Sequence, residues 1–194
     1  MSKIAVLTND LQGDLVNKND ERKNAVEKAT PGYVEFLRAM RARGHQVVHL
    51  QMINPPDDPV AERYNGFLPV QKGTEGAAIL PEFLGEGDIV LEKNKDSGFY
   101  ETDLHERLQN LWVDTVVVTG MQTQICVQTT AADAYFRNYK VWVPSDCVIS
   151  ARPEDTARAL EWLDGYCATV APSAEILKVL DAHGELPQKQ IVSP

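Results

Sequence analysis

The sequence predicts an α/β fold built on a mainly parallel sheet covered by helices, and three features carry that prediction. Short β-rich runs alternate with longer amphipathic stretches along the whole length, the pattern of strands joined by crossover helices. The apolar residues of the intervening stretches recur at helical spacing, as Tyr33, Phe36, Leu37 and Met40 do before Gly44. The chain, 194 residues at 43% hydrophobic composition, is also long and apolar enough to bury one continuous core.

Taken in order, the strands are expected at 3–8, 46–52, 88–92, 114–119, 140–144 and 167–171. Crossover helices are expected around Tyr33 to Met40 and around Leu104, Leu108 and Leu111. Three later helices should cover 125–137, 153–165 and 173–182, with Ser173 as an N-cap and Gly184 as a stop. Between Asn54 and Gly87 the rhythm breaks into prolines (55, 56, 59, 69, 81) and glycines (66, 73, 76, 85, 87). An excursion of this length in a compact domain reads either as a lid or binding loop or as a plain surface connection. With no repeat, low-complexity tract or linker, residues 1–194 read as a single domain.

The net charge of −9 repels phosphate backbones and anionic lipid, which argues against nucleic-acid and membrane-surface partners. The apolar run Ile4-Ala5-Val6-Leu7 is too short for a signal peptide or a membrane span, so the cytoplasm is the expected compartment. Cys126, Cys147 and Cys167 are an odd, widely spaced set that suggests neither a disulfide framework nor a zinc site.

In open parallel sheets the ligand site lies beyond the carboxyl ends of the strands. Asp10 follows the first strand, Lys93 the third, and Cys126 lies a few residues past the fourth. Singly, each has an ordinary explanation: an Asp after a strand is commonly a turn former, a Lys a solvated charge, a Cys a small buried hydrophobe. The run Gly120-Met121-Gln122-Thr123-Gln124-Ile125-Cys126 passes from a strand end through a tight turn into a helix. A helix N-terminus favours the thiolate, the form of cysteine that attacks. Asp10 could supply a base for such a thiol and Lys93 a cation. Cys167 reads as core, and Cys147 as a residue bordering the site.

These blocks together resemble the isochorismatase-like cysteine hydrolases. Asp10-Leu11-Gln12-Gly13-Asp14-Leu15, after its apolar strand, is similar to their Asp-x-Gln-x-Asp-Phe opening. Lys93 followed by Ser97-Gly98-Phe99 and Thr102-Asp103-Leu104 is similar to their Lys, Ser-Ala-Phe and Thr-x-Leu block. Thr119-Gly120 through Cys126 and on to Ala134 resembles their cysteine block, and Gly73-Thr74-Glu75-Gly76 and Ser145-Asp146 match weaker features.

The resemblance implies a Rossmann-like three-layer α/β/α sandwich and a catalytic triad of Asp10, Lys93 and Cys126. It also implies a cis peptide between Met121 and Gln122, with the Gln122 and Cys126 amides forming an oxyanion hole. The implied activity is cleavage of a small amide or ureido C–N bond through a thioester, without a cofactor. Dimers or tetramers are common in the family, so a homo-oligomer is expected. Metal-bearing nicotinamidases of this family place Asp-x-His after the second strand, where this chain reads Met52-Ile53-Asn54-Pro55-Pro56, and its histidines (45, 49, 105, 183) are scattered, so no metal is expected.

Hydrolysis of an enol ether such as isochorismate is the alternative chemistry, and a non-catalytic thiol sensor or binding protein the alternative of another class. Leu15, Tyr64, Phe67, Tyr100 and Ile125 are the candidate substrate-binding residues, and Arg63 or Lys72 could hold a substrate carboxylate. Leu15 in place of Phe, and Gly98 in place of Ala, should alter the shape of the pocket.

Overall fold

A computed structural model describes residues 3–59 and 68–188 of the chain. Its sheet contains β1 (Lys3–Asn9), β2 (Gln46–Met52), β3 (Ile89–Lys93), β4 (Val113–Met121), β5 (Lys140–Pro144), β6 (Val148–Ile149) and β7 (Thr169–Ala171). The order is β3-β2-β1-β4-β5-β7, with β6 on the end of β4, and these pairings are parallel. All six expected strands lie within two residues of their expected bounds. The sixth begins at Thr169 rather than at residue 167, because Cys167 is still the C-cap of the preceding helix. The two-residue β6 is too short to show any periodicity in sequence.

The helices are α1 (Gly13–Val16), α2 (Asp20–Ala42), α3 (Leu104–Asn110), α4 (Gln128–Phe136), α5 (Pro153–Tyr166) and α6 (Ser173–His183). Helix α2 starts more than two turns ahead of the Tyr33 to Met40 pattern. Its entry is fixed locally: the Asn19 side chain accepts from the Arg22 amide at 2.9 Å, and Asp20 and Glu21 suit the positive end of the helix. Pro31 lies inside the helix and Val26 is the one buried residue of its first half, which is why the apolar spacing there is faint. The N-cap of α6 is Pro172 and not Ser173. Ser173 is instead spent on Asp146, which accepts from its amide at 2.8 Å and its hydroxyl at 2.7 Å. Gly184 ends α6 in the left-handed region, with φ 70°.

Side-chain alternation along the strands divides the core into the two faces of a sandwich. Ala5, Leu7, Val48 and Leu50 pack with Leu104 and Leu108 of α3, Ala131 of α4 and Leu163 of α5. Ile4, Val6 and Val47 pack with Tyr33, Phe36 and Leu37 of α2 and with Ile176 and Leu180 of α6. No helix among the described residues is long and apolar enough to cross a membrane. The strand order reverses at the β1/β4 boundary, and a crevice therefore opens beyond the carboxyl ends of these two strands.

Candidate active site

The sheet brings Asp10, Lys93 and Cys126 together at that crevice. Asp10 is the residue after β1, with φ 57°, a left-handed conformation that Asp tolerates better than most residues, and its amide donates to Leu50 O at 3.0 Å. Two residues on, the buried Gln12 side chain joins three segments, donating to Met52 O at 2.8 Å and Ala77 O at 2.7 Å and accepting from the Met52 amide at 2.8 Å. Asp14 accepts from the Val70 amide at 2.8 Å. Gly76 packs on that Asp14 carboxylate, where a Cβ would not fit. The opening block thus anchors the long segment after β2 to the end of β1.

Lys93 ends β3 with no exposed side-chain surface. Its ammonium donates to Asp10 Oδ2 at 3.1 Å, to Lys95 O at 3.1 Å and to Asp96 O at 3.4 Å. The loop after β3 therefore wraps around the charge of the lysine that precedes it. Ser97 ties this loop to α4, donating to Asp133 Oδ2 at 2.7 Å and accepting from the Phe99 amide at 3.1 Å. Gly98 packs on Leu50 and Leu104 rather than on the cavity, so its missing methyl shapes the core. That corrects the expectation that Gly98 shapes the pocket.

Gly120, with φ 102°, lies against the Asn9 backbone, and a Cβ would collide with it. Only glycine lets β4 run this close to the end of β1. The Met121–Gln122 peptide that follows is cis. A single π turn, Thr123–Val127, then carries Cys126 ahead of α4. The thiol donates to Asp96 Oδ1 at 3.6 Å, and Asp10 lies close enough for its charge to bear on the sulfur.

The electrostatics differ from the expectation of a thiolate favoured by a helix end. Burial first, and then the charge of Asp10, push the Cys126 thiol well above its ordinary range, with Lys93 opposing. Burial likewise raises the Asp10 carboxyl against the lowering pull of Lys93. Burial alone would depress Lys93, but Asp10, Cys126 and Asp96 together hold its ammonium above the usual lysine range. A charged lysine thus sits beside a carboxylate and a protonated thiol, both poised at raised pKa.

Asp10 and Cys126 border a cavity of about 540 Å³, within the range of small-molecule sites, and Lys93 stands behind Asp10. Leu15, Gln122 and Ile125 line it, together with Asp58, Pro59 and Pro69 of the long segment. Tyr64, Phe67 and Arg63 lie outside the described residues. Tyr100 does not line this cavity; it is half-exposed on a second concavity with Lys72, because the loop that turns around Lys93 carries it to the outer side of β3. Lys72 pairs there with Glu92 at 2.8 Å, away from the thiol.

Four charged residues that sequence reasoning missed line the Cys126 cavity: Arg22, Asp58, Lys95 and Asp96. Arg22, from the first turn of α2, donates to Leu15 O at 3.3 Å and, with the Gln122 amide turned over, to its oxygen at 3.0 Å. Asp58, Lys95 and Asp96 come from the segments that follow β2 and β3, and only the fold shows that they line the cavity.

Cys147 has no exposed surface and packs between the sheet and α2, and burial, then Asp146, push its thiol far up. Cys167 is raised to about 11 by burial. Among the described residues no group of three or more His, Cys, Asp or Glu side chains could hold a metal ion. The segment after β2 offers Asn54, whose amide donates to Pro69 O at 3.0 Å, in place of an Asp-x-His pair. This donor set does not fit the metal of the nicotinamidases.

The profile of the Isochorismatase domain matches residues 4–175. A ureidoacrylate amidohydrolase, RutB, of Methylorubrum extorquens is 38% identical over 105 residues, 52% of this chain and 42% of that protein. The chain thus spans less than half of that relative's length. A probable inactive nicotinamidase of Arabidopsis thaliana is 30% identical over 169 residues, covering 81% of this chain and 86% of the plant protein. The crystal structure of N-carbamoylsarcosine amidase from Thermoplasma acidophilum superposes with a TM-score of 0.77 at 31% identity, over 88% of this chain and 96% of that one. With a profile that runs from the first strand into the last helix, and with amidases among the proteins it is most like, the chain belongs to the isochorismatase family of hydrolases.

Proposed function

We propose that this protein hydrolyses a small amide or ureido C–N bond through a thioester on Cys126, releasing ammonia or an amine. The observation that carries this reading is the convergence of Cys126 and Asp10, the latter 2.9 Å from the Lys93 ammonium, on the wall of one substrate-sized cavity. Asp10 takes the thiol proton as sulfur attacks the carbonyl carbon, and the C–S bond forms. The oxyanion falls to the Gln122 and Cys126 amides. The tetrahedral adduct collapses, the C–N bond breaks, and Asp10 returns its proton to the leaving nitrogen. Water then gives a proton to Asp10 and attacks the thioester, and Asp10 hands that proton to the departing thiolate. Lys93 holds the carboxylate in place and balances the anion at sulfur. The raised pKa of Asp10 suits a group that both accepts and donates.

Arg22 supports a substrate with an anionic end placed away from the scissile bond, since its guanidinium is presented to the same cavity. The test is a panel of primary amides, ureido acids and N-carbamoyl compounds, read as ammonia release, with isochorismate alongside. Release from an amide that disappears in Cys126→Ala is the expected result. Consumption of isochorismate alone, undiminished without the thiol, would replace thioester chemistry by enol ether hydrolysis.

A further inference from the structure

We infer that Asp96 is a specificity-determining residue, which selects substrates carrying N–H donors beside the scissile carbonyl and turns away those carrying an anion there. Its carboxylate lies on the cavity wall with Oδ1 3.6 Å from Cys126 Sγ. The inference rests on amide attack by Cys126 and adds the chemistry of the group next to the carbonyl.

Two carboxylates bear on the same sulfur, and they are differently built. Asp10 is 2% exposed and holds the Lys93 ammonium. Asp96 is exposed, and among the described residues no cation pairs with its carboxylate. The neighbouring Lys95 turns to Asp58 at 3.1 Å instead, where Asn94 also donates at 3.2 Å. The position of Asp96 is fixed by its backbone, not by its side chain: the carbonyl accepts from Lys93 Nζ and from Thr130 Oγ1, each at 3.4 Å. Beyond the thiol, from which Oδ1 accepts, the carboxylate is left for whatever lies over Cys126.

An ionised carboxylate only accepts hydrogen bonds, so its complement is a donor. A ureido or amidino group presents N–H bonds one atom from the carbonyl carbon, and an ammonium does so with charge. A carboxylate in that place would face Asp96 across a few ångströms at a direct Coulomb cost. The groups facing Cys126 are Asp10 from the end of β1, Lys93 from β3 and Asp96 from the following loop, while Arg22, Asp58 and Lys95 stand further round the cavity. The charge of Asp96 also resists formation of the thiolate. A substrate donor that neutralises it therefore eases the attack as well as the binding.

Alkylation of Cys126 tests this without any substrate. Iodoacetamide, iodoacetate and 2-bromoethylamine differ in charge, and their rates are taken relative to those with glutathione and mapped by peptide mass. In the unaltered protein iodoacetate should be disfavoured against iodoacetamide, and the gap should narrow as salt screens the charge. In Asp96→Asn the ratio of iodoacetate to iodoacetamide should rise roughly tenfold, the effect of about one pKa unit of like-charge field. Asp96→Glu should keep the original order.

An unaltered protein that shows no penalty against iodoacetate, or a ratio unmoved in Asp96→Asn, would overturn the inference. On any amide that is turned over, Asp96→Asn should lower kcat/KM more for a ureido compound than for its plain amide counterpart. If no amide is turned over, amide hydrolysis fails as a reading while the alkylation ratios still decide the role of Asp96.

Discussion

Strand β1 passes two buried charge clusters, and they differ in what is left unsatisfied. Thr8 belongs to the first: its hydroxyl is 2.7 Å from His49 Nδ1, and His49 Nε2 is 2.8 Å from Asp88 Oδ2. Arg41 donates to both Asp88 oxygens, at 2.9 and 2.6 Å, and the Gly85 amide donates to Oδ2 at 2.8 Å. A carboxylate can only accept, so His49 Nε2 carries the proton and Nδ1 accepts from Thr8. Burial lowers His49, which stays neutral. Burial alone would raise Asp88, but Arg41, His49 and the Gly85 amide together hold it below the usual carboxylate range.

Two residues along, Asp10 is buried beside a lysine, yet its pKa goes up. Lys93 Nζ comes within 2.9 Å of Oδ1, but its aligned hydrogen bond goes to Oδ2, and Oδ1 has no hydrogen-bond partner among the described residues. The backbone there is left-handed besides. Both clusters are buried and both are ion-paired. The saturated one holds the sheet together, and the unsaturated one is free to move a proton. Incomplete satisfaction, more than burial, separates a site from a strut.

The largest effect should come from the unsaturated cluster. Cys126→Ala removes the nucleophile and should lower ammonia release by about 10³-fold or more, with thermal unfolding little changed. Asp10→Asn should lose activity on a similar scale, and the double variant little more than either, since the two act as one unit. Additive losses would mean separate roles. The acid limb of the rate profile should lie above the ordinary aspartate value of about 4, because Asp10 must be ionised to accept the proton and burial raises its pKa. As pH falls through that raised value the base is lost. A limb at or below 4 would assign it to a different group.

The sequence was most legible where chemistry depends on strand ends. Asp10, Lys93 and Cys126 could be singled out because a parallel sheet gathers such positions along one edge, whatever the details of packing. Strand periods were legible for the same reason, being local. What was not legible depended on contacts between distant segments. Tyr100 follows the loop that encircles Lys93, and no local pattern tells that this loop faces it outward. Arg22 enters the cavity because α2 starts at Asp20, well before its apolar stripe begins. The raised pKa of Cys126 comes from burial and a facing carboxylate, neither of which a helix-terminus argument can see. The Thr8–His49–Asp88–Arg41 cluster spans four segments and left no motif at all.

That cluster gives the smaller and opposite expectation. Asp88→Asn keeps the size of the side chain but replaces one acceptor oxygen by a donor, which then meets Arg41 or the His49 and Gly85 donors. Losing a buried, charge-assisted network of this kind costs about 2–4 kcal/mol. Chemical denaturation at neutral pH should show that loss, while kcat at a temperature where the variant is folded should stay within about twofold of the original, an order-of-magnitude bound for a residue away from the reacting atoms. The sign with pH follows from the depressed pKa: the stability that Asp88 contributes is present above its unfolded value near 4 and is lost as pH falls through the lower folded value. The two proteins should therefore converge in stability under acid and diverge toward neutrality. A variant that lost kcat in parallel with stability would show that the two clusters are coupled through Thr8 and Asp10 on β1, and would remove the division drawn between them.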